Sequence, residues 1–161
     1  MFIRTAMAAD LPAIHDLLVE TWHDAYDAVF GRDKVTAITG EWHSVTALRR
    51  RLDRPHSEFI VADDGATIAG MAFAAAGADG KVLTLHQLYV RPAFQRGGIG
   101  GLLMDEILNA FPDAETCILE VAEGNSRAIA FYQSYDFAVA GGPEGELRHL
   151  RMERSLGVDA D

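Results

Sequence analysis

Apolar residues change their spacing several times along this chain, and each change marks an element. Phe2-Ile3-Arg4 reads as a short strand. Leu11, Ile14, Leu18 and Trp22 then recur at helical spacing, predicting a helix that Asp10 caps, that tolerates Pro12 in its first turn and that runs to about residue 26. From 31 to 54 the pattern is weaker and interrupted by Gly40, but Trp42, Val45, Leu48 and Leu52 predict a second helix that Pro55 stops. Strands are predicted at 58–62, 67–75 and 81–90. The tight-turn sequences Asp63-Asp64-Gly65 and Ala78-Asp79-Gly80 separate them, so the three form an antiparallel meander. Beyond Val90, residues Ile99, Leu102, Leu103, Ile107 and Phe111 share one helical face up to Pro112, and 116–121 reads as a buried strand. Strand, helix and strand make a parallel crossover. A last helix carries Ala128, Phe131, Tyr132 and Tyr135 on one face. A closing hairpin is predicted with strands at 137–140 and 147–152 around Gly141-Gly142-Pro143.

These elements predict an α/β fold with a mixed sheet in a single domain over 1–156, followed by a short acidic tail at 157–161. A chain of 161 residues with 49% hydrophobic and 24% charged positions buries a core without metals or disulfides. The start of the chain lacks the apolar run of a signal peptide and no stretch is apolar enough to span a bilayer, so the expectation is a cytoplasmic protein with no membrane partner. The single cysteine, Cys117, lies in an apolar run and is expected to be a buried thiol. Fourteen Lys and Arg against 24 Asp and Glu give a net charge of −10, which repels phosphate backbones and excludes general nucleic-acid binding. The one dense basic patch, Arg49-Arg50-Arg51 with Arg54, reads as the solvated end of a helix. Homodimerisation is left open by the composition.

Chemistry concentrates between the third meander strand and the crossover helix. There the glycines of Gln95-Arg96-Gly97-Gly98-Ile99-Gly100-Gly101 coincide with a helix start, where unpaired backbone N–H groups and the helix dipole favour a phosphate. The Gly-Lys-Ser/Thr ending of a P-loop is absent, and Leu103 occupies the last glycine position of a dinucleotide fingerprint, so neither nucleotide motif applies. The run instead resembles the Gln/Arg-x-x-Gly-x-Gly/Ala signature of the GNAT acetyltransferase superfamily, led in by Leu88-Tyr89-Val90 and Pro92. A second block, Leu119-Glu120-Val121 followed by Asn125, Ala128, Phe131, Tyr132 and Phe137, is similar to that family's Asn-x-x-Ala-x-x-Phe-Tyr region. Where relatives commonly carry glycine just before the last aromatic, this chain has Asp136.

The resemblance implies an acetyl-CoA-dependent N-acetyltransferase that passes an acetyl group directly to a primary amine. It implies that the backbone of Leu88, Tyr89 and Val90 pairs with the pantetheine arm between splayed parallel strands. The turn opened by Gln95, with amides of Arg96, Gly97, Gly98, Ile99, Gly100 and Gly101, would hold the pyrophosphate. Asn125 would touch the cofactor, a role compatible with capping the helix that follows. Acyl transfer needs a proton acceptor for the amine and an acid for the departing thiolate. Tyr132 occupies the family position of the acid, Glu120 is the first candidate base, directly or through water, and His86 is the second. No metal is implied. The net charge suggests a small cationic acceptor, with Asp24, Asp27, Asp33 and Glu41 as candidate carboxylates. The alternatives are acetylation of protein N-termini or lysines, a non-catalytic acyl-CoA-binding sensor, and a dimeric structural protein.

Overall fold

The structure, a computed structural model, describes residues 1–157, so the expected acidic tail lies outside the described residues from 158 onward. Seven strands and five helices follow one another as β1 (Phe2–Thr5), α1 (Leu11–Phe30), α2 (Arg32–Trp42), α3 (Val45–Leu52), β2 (Ser57–Asp63), β3 (Ile68–Ala76), β4 (Val82–Val90), α4 (Ile99–Ala110), β5 (Thr116–Ala122), α5 (Ser126–Ser134), β6 (Ala138–Glu144) and β7 (His149–Ser155). The strands form one sheet in the order β1-β2-β3-β4-β5-β7-β6, antiparallel except for the β4–β5 pair that α4 connects.

Period-two alternation assigns the two faces. On β2 and β3, Phe59, Val61, Met71 and Phe73 point to Leu11, Ile14, Leu17 and Leu18 of α1 and Leu48 of α3. Ile60, Ala62, Ala72 and Ala74 point the other way, to Leu103, Met104 and Ile107 of α4. Three of these four α4-side residues are alanines, and Gly70 adds to this: a Cβ there would lie 3.0 Å from Leu103 Cδ1 and 3.1 Å from the Tyr89 carbonyl. Such packing brings the start of α4 down onto the sheet beside the end of β4.

Several expectations are corrected. One helix was expected between 31 and 54, and there are two, because Ser44 turns the chain and its hydroxyl accepts the Ala47 N–H at 3.1 Å to start α3. Gly40 interrupts neither. The first helix continues past 26 to Phe30, where Tyr26 and Phe30 stack at 5.5 Å, and Gly31 ends it at φ 87°. Asp10 does not cap α1 through its side chain; it accepts the Met7 N–H at 2.8 Å and both guanidinium arms of Arg4, at 2.8 and 2.9 Å. Gly141-Gly142-Pro143 is not the hairpin turn but part of β6, the edge strand, where a residue without an N–H is tolerated; the turn lies between Glu144 and His149. Arg49 and Arg50 are exposed as expected, whereas Arg51 is half-buried.

Candidate active site

β4 and β5 pair from Val82 with Thr116 to Leu85 with Leu119, and no farther. The separation begins at a bulge: Phe73 faces Gln87 and Ala74 faces Leu85, leaving His86 as an extra residue on β4. An extra residue bends its strand, so β4 turns away from β5 at His86. From there to Val90, β4 pairs with β3 alone, while Glu120, Val121 and Ala122 pair only with β7. Two strand edges with unpaired backbone groups therefore face one another across a gap, an arrangement that accepts an amide-containing chain as an added strand.

At the end of this gap the Gly-rich turn closes the cleft. Arg96 and Gly98 both have left-handed backbone, at φ 68° and 82°, which turns successive N–H groups towards one side. No side chain caps α4, so its first amides have no partner on the protein. A Cβ at Gly98 would meet nothing within 4 Å, so the space beside it is open, whereas one at Gly100 would lie 3.3 Å from the Phe131 ring, which packs against the bare start of the helix. Gln95 braces the turn by donating to the Val90 carbonyl at 3.0 Å and accepting from Arg127 at 2.5 Å. Arg91 is occupied elsewhere, with Glu20 at 2.6 Å and the Ile68 carbonyl at 2.7 Å.

The cleft encloses about 730 Å3. Leu88, Tyr89, Val90, Arg96, Gly98, Ile99, Gly100, Gly101 and Gln95 line it on the β4–α4 side, and Glu120, Asn125 and Tyr132 on the β5–α5 side, with His86 at its inner end. Of the cofactor candidates, Gly97 is not on the cleft wall. Asn125 caps α5, accepting the Ala128 N–H at 3.2 Å, and its amide donates to the Tyr26 hydroxyl at 3.0 Å. Tyr132 is 8% exposed; burial pushes its phenol well above the usual tyrosine range and keeps it protonated. The Glu120 carboxylate is mostly exposed in the cleft and lies 3.3 Å from His149 Nδ1. His86 stacks on Phe73 at 5.6 Å, and its imidazole is held below the ordinary range first by burial, then by Arg54 and Arg51. Its Nε2 faces the Arg54 guanidinium at 3.4 Å. Because arginine only donates, the His86 lone pair is directed at a cation and is not free to take up a proton. Cys117 is buried and its thiol is pushed up to about 12 by burial, so it is not a nucleophile.

Several lining residues were given no individual role by the sequence: Trp22, Tyr26, His43, Arg51 and Arg54 in the segment 22–54, Gln87 on β4, and His149 in the closing hairpin. One signal was available for Arg51, which lies three residues after Leu48 and so shares the inward face of α3. Of the four carboxylates expected near the acceptor, only Asp24 lines the cleft, and Asp27 holds His23 at 2.6 Å. Asp33 and Glu41 line neither it nor its neighbouring chamber. Among the described residues no helix is long and apolar enough to cross a membrane.

Residues 11–137 match the model of the acetyltransferase (GNAT) family. An N-alpha-acetyltransferase RimI of Mycobacterium tuberculosis is 34% identical over 118 residues, covering 71% of this chain and 69% of that protein. A probable N-acetyltransferase of the same organism, Rv2775, is 29% identical over 141 residues, or 86% and 80% of the two chains. In three dimensions the PaiA N-acetyltransferase from Thermoplasma acidophilum, solved in complex with coenzyme A, superposes with a TM-score of 0.87, covering 96% of this chain and 98% of that one at 22% identity, a likeness of fold. The glycine turn and the split between β4 and β5 both fall within the matched segment, and the chain belongs to the GNAT family of N-acetyltransferases.

Proposed function

We propose that the cleft binds acetyl-CoA and transfers its acetyl group to a primary amine by direct attack. One observation carries this reading: the unpaired edges of β4 and β5 lead straight into an uncapped, glycine-cleared helix start. That combination fits an amide-containing arm continued by a pyrophosphate. Leu88, Tyr89 and Val90 offer backbone to the arm, Arg96 and Gly98 to Gly101 offer amides to the phosphates with open space beside Gly98, and Arg127, held beside Gln95, adds a positive charge at the rim. Bound there, acetyl-CoA supplies an acyl group activated as a thioester.

The remaining chemistry belongs to the side chains. The attacking nitrogen must be neutral and must lose a proton as the C–N bond forms, while the sulfur takes one as the C–S bond breaks. Glu120 receives the amine proton, directly or through water. Tyr132 donates to the sulfur, and its raised pKa keeps it protonated around neutral pH. His86 is the second candidate base, its lone pair engaged by Arg54. Protein N-termini are the second reading of the acceptor, favoured by the 34% identity with a chain named an N-alpha-acetyltransferase. The net charge of −10 favours a small cationic amine in long-range encounter, but of its four candidate carboxylates only Asp24 reaches the cleft. The test is thiol release from acetyl-CoA across a panel of amines and N-terminal peptides, with mass spectrometry of the products. Acetylated amine supports the proposal, and tight cofactor binding without any turnover would refute it in favour of a sensor.

A further inference from the structure

A second chamber of about 380 Å3 opens beside the cleft and shares Trp22, His86, Gln87, Tyr89, Glu120 and His149 with it. What it adds is cationic. The Arg51 guanidinium donates to the Trp42 carbonyl at 2.9 Å and to Gln87 Oε1 at 2.8 Å, and lies 6.0 Å from the centre of the Phe73 ring. Arg54 lies 6.0 Å from the same ring. Among the described residues no carboxylate is within 4.0 Å of either guanidinium, whereas Arg91, Arg148 and Arg151 each hold one and Arg4 holds two. Two like charges over one ring, with no counterion, repel one another unless an anion joins them.

The neighbouring polar groups are donors too. Arginine has only donors, so Gln87 must turn its oxygen to Arg51 and its NH2 to His43, whose Nδ1 accepts it at 3.0 Å. Burial first, then Arg51 and His15, keeps that imidazole neutral, with its pKa lowered to about 3, so its proton sits on Nε2. His43 Nε2 and Trp22 Nε1 are both buried without a partner on the protein. The chamber wall thus holds two unpaired cations, with the two unpartnered N–H groups buried behind it, and one acid, Glu120, at the boundary with the cleft.

We propose that this chamber receives an anionic group of the acceptor, a carboxylate or phosphate a few bonds from the amine, between Arg51 and Arg54, leaving the amine beside Glu120. The proposal rests on the amine-acetylating function proposed above and names its substrate class: amines that carry an acid, free or at a peptide N-terminus, rather than polyamines.

Three amines of matched length separate the cases: 4-aminobutyrate, butylamine and 1,4-diaminobutane, with 2-aminoethyl phosphate and a peptide bearing glutamate at its second position as further arms. The expected order of kcat/KM is acid, neutral, cation, with the acid ahead of butylamine by roughly tenfold or more, the usual worth of hydrogen bonds to a charged group. Arg54→Glu should invert that order, and Arg54→Gln should bring the ratio close to one. Butylamine or diaminobutane preferred by the wild type, or an unchanged ratio in both variants, would overturn the proposal while leaving amine acetylation standing. If no amine turns over, the proposed function fails instead. Calorimetry with 4-aminobutyrate on wild type and Arg54→Glu then decides the chamber alone: binding lost in the variant supports it, and equal binding or none in the wild type refutes it.

Discussion

His43 should make this protein lose stability well above the pH at which its carboxylates are protonated. Its ring is 5% exposed and its pKa falls from 6.5 to about 3, because burial and the nearby Arg51 disfavour the imidazolium. In the unfolded chain the ordinary value returns. Between those two values the unfolded state binds a proton that the folded state does not, so stability is complete above about pH 6.5 and falls as pH drops. Over the whole window the loss is at most about 5 kcal/mol, from a difference of about 3.5 units at 1.36 kcal/mol each. Between pH 7 and pH 5 alone it is about 2 kcal/mol, or roughly 4–8 °C in Tm for a chain of this size. Carboxylates held below their ordinary range, such as Asp10, lose their contribution mainly at lower pH, so this interval isolates the histidines. The control is His43→Asn, whose side-chain oxygen can still accept from Gln87 but does not titrate. Urea unfolding would be followed at pH 7 and pH 5 by the fluorescence of Trp22, whose ring is 5.3 Å from His43. The variant should lose about 2 kcal/mol less than wild type across the interval. An equal loss in both proteins would refute the reading of His43 as a buried neutral ring, and with it the direction of the Gln87 amide.

Gly98→Val should raise the Kd for acetyl-CoA by roughly tenfold or more, since a branched side chain is strained at φ 82° and projects into the space kept over the amides; calorimetry on the folded variant checks it, and unchanged affinity would dismiss the turn as the phosphate site. Tyr132→Phe should lower kcat by roughly 10²–10⁴-fold with little change in acetyl-CoA affinity, measured as direct thiol release. A near-normal kcat would make Tyr132 a packing residue. Asp136→Gly should raise Tm, by about 1 kcal/mol of stability, because Asp136 holds left-handed backbone at φ 69° where glycine is unstrained; a lower Tm would contradict that conformation.

Local pattern alone was sufficient for most elements, because helix and strand periods are properties of short segments. The face of α1, the meander, the crossover and the glycine turn were all legible this way, and the turn's chemistry with them, since the uncapped start of α4 follows from the absence of side chains in one short run. The same locality explains the errors: Ser44 divides a weak pattern by a single hydroxyl contact, and Pro143 is permitted in β6 only because that strand is the sheet edge. Tertiary structure decided what no segment contains. The gap between β4 and β5 depends on which residue of β3 faces Gln87, a matter of register between distant strands, and on the bulge at His86 that results. The acceptor side depends on it still more. Composition describes an acidic protein, yet folding separates Asp33 and Glu41 from the cleft and turns Arg51 inward beside Arg54 from 32 or more positions away from His86 and Gln87. Net charge is a sum over the whole surface, and a site feels mainly the charges within a screening length of roughly 10 Å, so the sign of this pocket is set by the fold and not by the composition.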